Sequence, residues 1–415
     1  MMDLIRQFAP LDRVPVSSGT RQLTNRVADL LQADLREVAS GTKCLDWIIP
    51  DEWSVNHATL RTVMGDVIAD YARHPLSIWS GCSSFSGEIS LEELQGHLHF
   101  LPSCPTAIPF HYRCWYDQHF LDQWGFSLPY EVAESLENVR YVVDIDTDRT
   151  PGSMCYIDHE IQGERPETIL LSAHTCHPGQ VNDGIANVAV LVELFKWIQS
   201  TSRKFTYRVV IGPEYYTAAA VLEESRRIER ILGGFYLDLA GARTELAWSR
   251  TSAGDSWIDH LLQSISNDHH VKVHESGYRG FIGNDEMFYD GPGFNLPVAP
   301  VCRRFPPEYH TSDDNVESCC QGQLEKMLEF LKKTIVMAES ETLPRLNMLG
   351  PACLSRRKIP ALPATYSWGT QCTQLAMKMM DGRHSTSQIA VESGLPLEVL
   401  THFIEQLVSS GVVEV

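Results

Sequence analysis

Two imidazoles and one carboxylate, His174, His177 and Asp183, fall within ten residues of the stretch ILLSAHTCHPGQVNDGIANVAVLV. Side chains of these types suit a hard or borderline divalent metal, with zinc the natural candidate for a nitrogen and oxygen ligand set. Local hydrogen bonding by the histidines and helix capping by Asp183 would account for the same residues without a metal. The choice between the two rests on what the remainder of the chain brings to this loop.

The loop is set between two readable elements. Ile169, Leu170 and Leu171 form a short apolar run expected of a buried strand, and Gly184 opens a helix carrying Ala186, Val188, Val190, Leu191 and Leu194. This is one step of an α/β sheet, whose ligands gather at the carboxyl ends of the strands. Three more polar side chains occupy comparable places: Glu214 after the strand YRVVIGP, Asp238 in FYLDLAG, and His310 in PPEYHTSDDN. A carboxylate within FYLDLAG is costly to bury unless it is paired, hydrogen-bonded or bound to metal.

The spacing predicts strands at 207–213 and 233–241, and helices at 217–231, 256–267 and in QLEKMLEFLKKTIVMAES. Alternating strands and helices of this kind argue a parallel or mixed sheet covered by helices. An N-terminal helix is expected in RQLTNRVADLLQADL, with Val27, Leu30, Leu31 and Leu35 on its apolar face. Between these elements the chain turns to short alternating segments, so residues 46–147 read as an inserted β-rich domain within a core formed by 1–45 and 148–345. Trp47, Trp53, Trp79, Trp115 and Trp124 fall in the insert and are expected to make its core. Residues 355–415 read as a winged helix-turn-helix.

Charge and cysteine content narrow the partners. The formal charge of −19 repels nucleic-acid backbones and anionic lipid, and the C-terminal segment from Arg356 carries five basic against five acidic residues. Nucleic acid is therefore an unfavoured partner, and packing or docking is the expected role of that segment. No apolar run approaches the length of a membrane span. The eleven cysteines include no CxxC and no charged-then-apolar leader opens the chain, so reduced thiols in the cytoplasm are expected.

The ordered set SAH174, ND183G, GPE214, LD238LAG and YH310TSDDN resembles the zinc-dependent exopeptidases of the leucyl-aminopeptidase and transferrin-receptor-like superfamily. With the insert, the HTCHPG run, PGFNLPV and the C-terminal segment, it is similar to bacterial aminopeptidase-like proteins, and this resemblance covers nearly the whole chain. It implies an α/β, zinc-exopeptidase-like sheet covered by helices. It also implies one or two zinc ions, His174 and Asp238 binding the first, Asp183 bridging, and His310 and Glu214 binding the second.

Two positions depart from the family pattern. Relatives carry adjacent glutamates, a base and a ligand, where this chain has Pro213 and Glu214; Glu214 is therefore either ligand or base. The residue two positions after the first histidine, commonly an orienting aspartate, is Cys176. The resemblance implies a metallo-aminopeptidase or amidohydrolase acting on a peptide or an aminoacylated small molecule. Tyr309, Asp285, Glu286 and His177 are its candidate substrate-binding residues. The insert is expected to roof the cleft or make a homo-oligomer contact. The Pro213 departure and the C-terminal segment leave open a peptidase-fold regulatory protein.

Overall fold

Residues Thr168–His174 are buried along their whole length, which is what a strand covered by helices on both faces of its sheet requires. This computed structural model describes residues 1–116, 122–224, 228–268, 272–359 and 369–415. Its main sheet has eight strands among the described residues: β1 Leu35–Ala39, β2 Ser153–Ile161, β3 Thr168–His174, β4 Thr206–Gly212, β5 Ile231–Leu237, β6 Leu246–Ser249, β7 Val273–Ser276 and β8 Val298–Arg303. Their order is β1-β2-β4-β3-β5-β8-β6-β7. The central four, β4-β3-β5-β8, are parallel, while β1 and β2 join antiparallel on one side and β6 antiparallel on the other.

Helix Ile185–Gln199 returns from β3 and buries Ile185, Val188, Leu191, Leu194 and Phe195 against one face of the sheet. Helices Ser18–Leu31, Trp257–Asp268 and Gln321–Glu339 contribute Leu23, Val27, Leu261, Leu324 and Phe330 to the same core. The other face is closed by helix Tyr216–Glu223, through Ala218, Ala219 and Leu222.

The insert is built on a separate antiparallel sheet of Val67–Asp70, Glu52–Thr62, Arg140–Thr150 and Phe85–Ser90, in that spatial order. Trp53, Trp79, Trp115 and Trp124 are buried in its core, but Trp47 is not. Trp47 packs against the α/β body beside Tyr215, Tyr216 and Phe288.

Several elements differ from the sequence reading, each for a local reason. Leu35 is not helical: Gln32 takes a left-handed conformation (φ 53°), ends the helix at Leu31, and lets Leu35 start β1. The helix expected through Ile231 ends at Glu223, since Ile231 is needed to pair with Thr168 at the start of β5. Residues 225–227, which that expectation also covered, lie outside the described residues. Strand Arg140–Thr150 runs past 147 because nothing breaks its pairing before Pro151 and Gly152. The Gly-rich stretch before β8 contains the single-turn helix Glu286–Tyr289.

The C-terminal segment forms helices Gly369–Met379, Thr386–Ser393 and Leu397–Ser409. Its last strand, Val413–Glu414, pairs with Arg345–Leu346 rather than with a strand of its own helical unit. Ile389, Leu397, Leu400 and Phe403 are continuous with the core around Leu261 and Ile265. Part of the expected winged-helix segment, 360–368, lies outside the described residues. Among the described residues, no helix is long and apolar enough to cross a membrane.

Because Leu400 is wholly buried in that shared core, Leu400→Ala is expected to cost about 2–5 kcal/mol. Guanidinium unfolding should show one transition shifted to lower denaturant. A C-terminal unit unfolding independently, with the remainder unshifted, is the contrary result.

Candidate metal centre

Three adjacent strands of the parallel block deliver a polar side chain at or just past their carboxyl ends. His174 closes β3, Glu214 follows β4 by two residues, and Asp238 follows β5 directly. Asp183 comes from the loop between β3 and its helix, and His310 from the loop after β8. Residues far apart in sequence thus meet at one edge of the sheet.

Asp183 is the hub. Its Oδ1 lies 3.1 Å from His174 Nε2 and 3.9 Å from His177 Nδ1, and its Oδ2 lies 2.9 Å from His310 Nε2. Asp238 Oδ1 lies 3.7 Å from the same His174 nitrogen. His174/Asp183/Asp238 and His177/Asp183/His310 are each clusters whose ligand atoms lie within 4.8 Å of one another, and they share Asp183. Buried and close together, His174 Nε2, Asp183 Oδ2 and His310 Nε2 nevertheless make no hydrogen bond of acceptable geometry. Converging lone pairs left unpaired in this way fit a cation between them, and the imidazole and carboxylate donors fit zinc.

The loop carrying these ligands is held from below. Arg13, fully buried, donates from Nε to Thr175 O at 3.2 Å, from Nη2 to His177 O at 2.8 Å and to Gln180 O, and from Nη1 to Phe8 O at 2.7 Å. In return, its carbonyl accepts the His177 N–H at 2.9 Å. Asp314 accepts the backbone N–H groups of Val181, Asn182 and Asp183 at 3.2, 2.9 and 3.0 Å. Asn187 Nδ2 donates to Asp238 Oδ1 at 2.9 Å, and its own carbonyl accepts the Ala240 N–H.

Gly184 has φ 121°, and a Cβ there would lie 2.6 Å from Cys176 O, so the turn behind Asp183 admits only glycine. His177, Tyr215, Leu239 and His310 all have positive φ (89°, 64°, 53° and 56°). Such strain in non-glycine residues gathers at functional sites, where surrounding bonds over-determine the backbone.

Glu214 is not beside His310. It groups with His174, Cys176 and His177, its Oε1 3.8 Å from His177 Nε2. Tyr116 OH donates to Oε1 at 2.5 Å and Asn284 Nδ2 to Oε2 at 2.8 Å. His177, read from sequence as substrate-binding, groups with Asp183 and His310, where the resemblance implies Glu214. The reason is local: the turn after Cys176 folds His177 back over Asp183, while Tyr116 and Asn284 draw Glu214 aside. Cys176 Sγ lies 3.6 Å from His174 Nδ1 and accepts the Glu214 N–H at 3.4 Å.

Asp285 accepts the Tyr215 N–H at 2.5 Å and so braces the Glu214 loop, while Glu286 Oε2 accepts the Asn284 N–H at 2.8 Å within its own turn. Glu286 Oε1 is buried without a partner. Tyr309 stacks on His310 at 3.9 Å. The insert roofs the centre: Phe110 N donates to His310 O at 2.8 Å, Pro109 bridges to Thr311, and the Phe110 ring stands edge-on to His177 and His310. Sequence reading singled out neither Arg13, Asp314, Asn187, Phe110 nor Tyr116. An arginine in APLDRVP or a second aspartate in TSDDN carries no local signal of its distant partner.

Burial opposes charge on His174, but Asp183 and Asp238 outweigh it and hold its pKa well above the usual imidazole value. Burial likewise works against Asp183, yet the surrounding histidines hold its carboxyl well below the ordinary range. His177 is pushed down to about 4 by burial, against Asp183 and Glu214, and is therefore neutral at pH 7. Metal uptake must displace the proton from His174, so zinc affinity is expected to weaken as pH falls.

A mixed α/β sheet with a buried His/Asp cluster at its strand ends, and an extra antiparallel sheet above it, defines an aminopeptidase-like protein. Residues 2–341 match the family described as "Domain of unknown function (DUF4910)", and the chain belongs to that family. A Clostridium acetobutylicum protein named for polysaccharide biosynthesis, with an aminopeptidase-like domain, is 27% identical across 98% of this chain and 94% of its own. A crystal structure from Clostridium acetobutylicum, named as a presumed peptidase, superposes with TM-score 0.85 at 26% identity, covering 100% of this chain and 95% of the other. A zinc aminopeptidase from Bacillus subtilis shares the fold at TM-score 0.62 and 12% identity, covering 81% and 94%.

Removing the Asp314 carboxylate strands the Asn182 and Asp183 N–H groups under the metal loop, so Asp314→Ala should weaken zinc binding about 10–100-fold, measured by chelator competition. Burial raises Asp285 from 3.8 to about 8 and Glu286 from 4.5 to about 7. Their contribution is therefore complete below the unfolded values and is lost as pH rises through the folded ones. Metal-free protein should lose stability between about pH 4 and pH 8 in denaturant titrations, and Asp285→Asn should flatten that slope.

Proposed function

We propose that the protein is a zinc-dependent aminopeptidase or amidohydrolase, releasing an N-terminal amino acid from a peptide or an aminoacylated small molecule. The observation that carries this reading is the pair of buried clusters sharing Asp183. His174 and Asp238 would hold one zinc ion, His177 and His310 a second, and Asp183 would bridge them. Zinc, when bound, polarises a carbonyl and lowers the pKa of water towards neutrality.

The remaining roles belong to side chains. With His177 beside Asp183 and His310, Glu214 is released from ligation and is the general base. Tyr116 on Oε1 and Asn284 on Oε2 aim its carboxylate. Glu214 takes the proton of the attacking water and returns it to the leaving amine, which accounts for a working site with Pro213 in place of the first glutamate of the family pair. Tyr309, stacked on His310, is placed to donate to the developing oxyanion. Asp285 holds the Glu214 loop, Glu286 holds Asn284, and both supply acceptors for a substrate amine.

Phe110 and Tyr112 over the centre favour a small substrate. The relative named for polysaccharide biosynthesis favours an aminoacylated or acylated sugar over a general peptide. The C-terminal unit we read as a winged helix used for packing, in a cytoplasmic protein whose described cysteines form no disulfide.

Glu214→Gln should retain zinc and lose at least 100-fold in kcat on aminoacyl anilides and aminoacyl sugars, since general-base catalysis is worth about 10²–10⁴. His177→Ala should lose zinc itself, read by metal analysis. Zinc lost in Glu214→Gln and kept in His177→Ala would reverse the two roles. Wild-type protein with neither stoichiometric zinc nor amino-acid release would overturn the hydrolase reading.

A further inference from the structure

A cavity of about 620 Å³ lies where the insert meets the α/β body, and Tyr116 in its wall also hydrogen-bonds Glu214 of the candidate metal centre. Trp47, Trp53, Trp115, Tyr116 and Tyr216 contribute rings to its wall, and Asp46, Asp51 and Arg149 supply charge. The wall is assembled from four parts of the chain: the linker at Val14–Val16, the hairpin Lys43–Ile48, the insert, and helix Tyr216–Glu223. Small-molecule sites occur preferentially at such domain junctions, and the size lies within their usual range of about 300–1,000 Å³.

The rings are held in place. Trp47 packs on Tyr116, Tyr215 and Tyr216 with centroids 6.0, 5.4 and 5.5 Å apart, and Tyr216 OH donates to Trp115 O at 2.8 Å. Trp53 Nε1 donates to Cys82 O at 2.8 Å, and Arg149 Nη2 donates to Gly81 O. Asp46, Asp51 and Arg149 are themselves exposed at the mouth. Tyr116 belongs to both places: its ring lines the cavity and its hydroxyl holds Glu214.

We infer that this cavity binds a sugar ring of the substrate. Indole and phenol faces suit the C–H faces of a pyranose, while carboxylates accept and a guanidinium donates to its hydroxyls. Asp46, 3.7 Å from Lys43, and Asp51 are balanced by Lys43 and Arg149, so the mouth favours a ligand without net negative charge, and an apolar peptide side chain leaves these polar groups unused. The inference rests on the amide-hydrolase reading and makes it more specific. The sugar of an aminoacylated or acylated amino sugar occupies the cavity, and its amide is presented to the metal centre on the other side of Tyr116.

The test uses full-length, zinc-loaded protein with a panel of neutral, N-acetylated, amino and acidic monosaccharides and N-acetylated disaccharides, read by saturation-transfer NMR and tryptophan fluorescence. A neutral, N-acetylated or amino sugar should bind, and at least tenfold more weakly in Trp47→Ala and in the double variant Asp46→Ala/Asp51→Ala. The double variant changes only exposed side chains, and its release of amino acid from a plain aminoacyl anilide should equal wild type. No binding across the panel, preference for acidic sugars, equal binding in all variants, or displacement by an apolar dipeptide would each overturn the sugar site. Zinc content and anilide cleavage on the same preparation separate the outcomes. A protein that cleaves but binds no sugar refutes this inference alone, and one that binds sugar without zinc or cleavage refutes the hydrolase.

Discussion

A carboxylate taken out of water must find positive charge or hydrogen-bond donors, and Asp183 is 2% exposed. Three imidazoles around it meet that demand, arriving from the end of β3, from the turn after it and from the loop beyond β8. Their mutual placement is tolerable only if the unpaired nitrogens and oxygens are reconciled by protons or by metal. The α/β sheet satisfies this constraint by bringing its parallel strand ends to one edge. The insert then excludes solvent by lying over that edge.

The support beneath the ligands is as informative as the ligands themselves. Arg13 and Asp314 bind the metal loop through main-chain carbonyls and N–H groups, so they secure its shape without specifying its side chains. A buried guanidinium serving carbonyl acceptors and a buried carboxylate serving N–H donors divide the loop's unsatisfied backbone groups between them. This leaves His177 able to hold positive φ, which a looser loop would relax.

The grouping of His177 with Asp183 and His310, and of Glu214 with Cys176, bears on the Pro213 departure. Pro213 takes the place of one carboxylate of the pair that the resemblance implies, and His177 rather than Glu214 groups with Asp183 and His310. Glu214 is left with Tyr116 and Asn284 on its two oxygens. Because Tyr116 comes from the insert, the roof holds the Glu214 carboxylate beneath it and lines the aromatic cavity beside it.

Local pattern alone determined a good deal. The buried run before His174, the helix after Gly184 and the polar residues closing β3 and following β4 and β5 are short-range features, so the sheet and its polar strand ends were legible before any coordinates, while the set His174, Asp183, Asp238 and His310 was implied by the resemblance. Where a local pattern had to yield to pairing, as at Leu35 and Ile231, the boundary moved to serve the sheet. Tertiary structure decided the rest: which residue stands beside His310, what grips the metal loop, and what Trp47 packs against. Those depend on Arg13, Tyr116, Asn284 and Asp314 meeting partners mostly scores of residues away, and hydrogen-bonding and burial across such separations leave no periodicity in the chain for a reader to find.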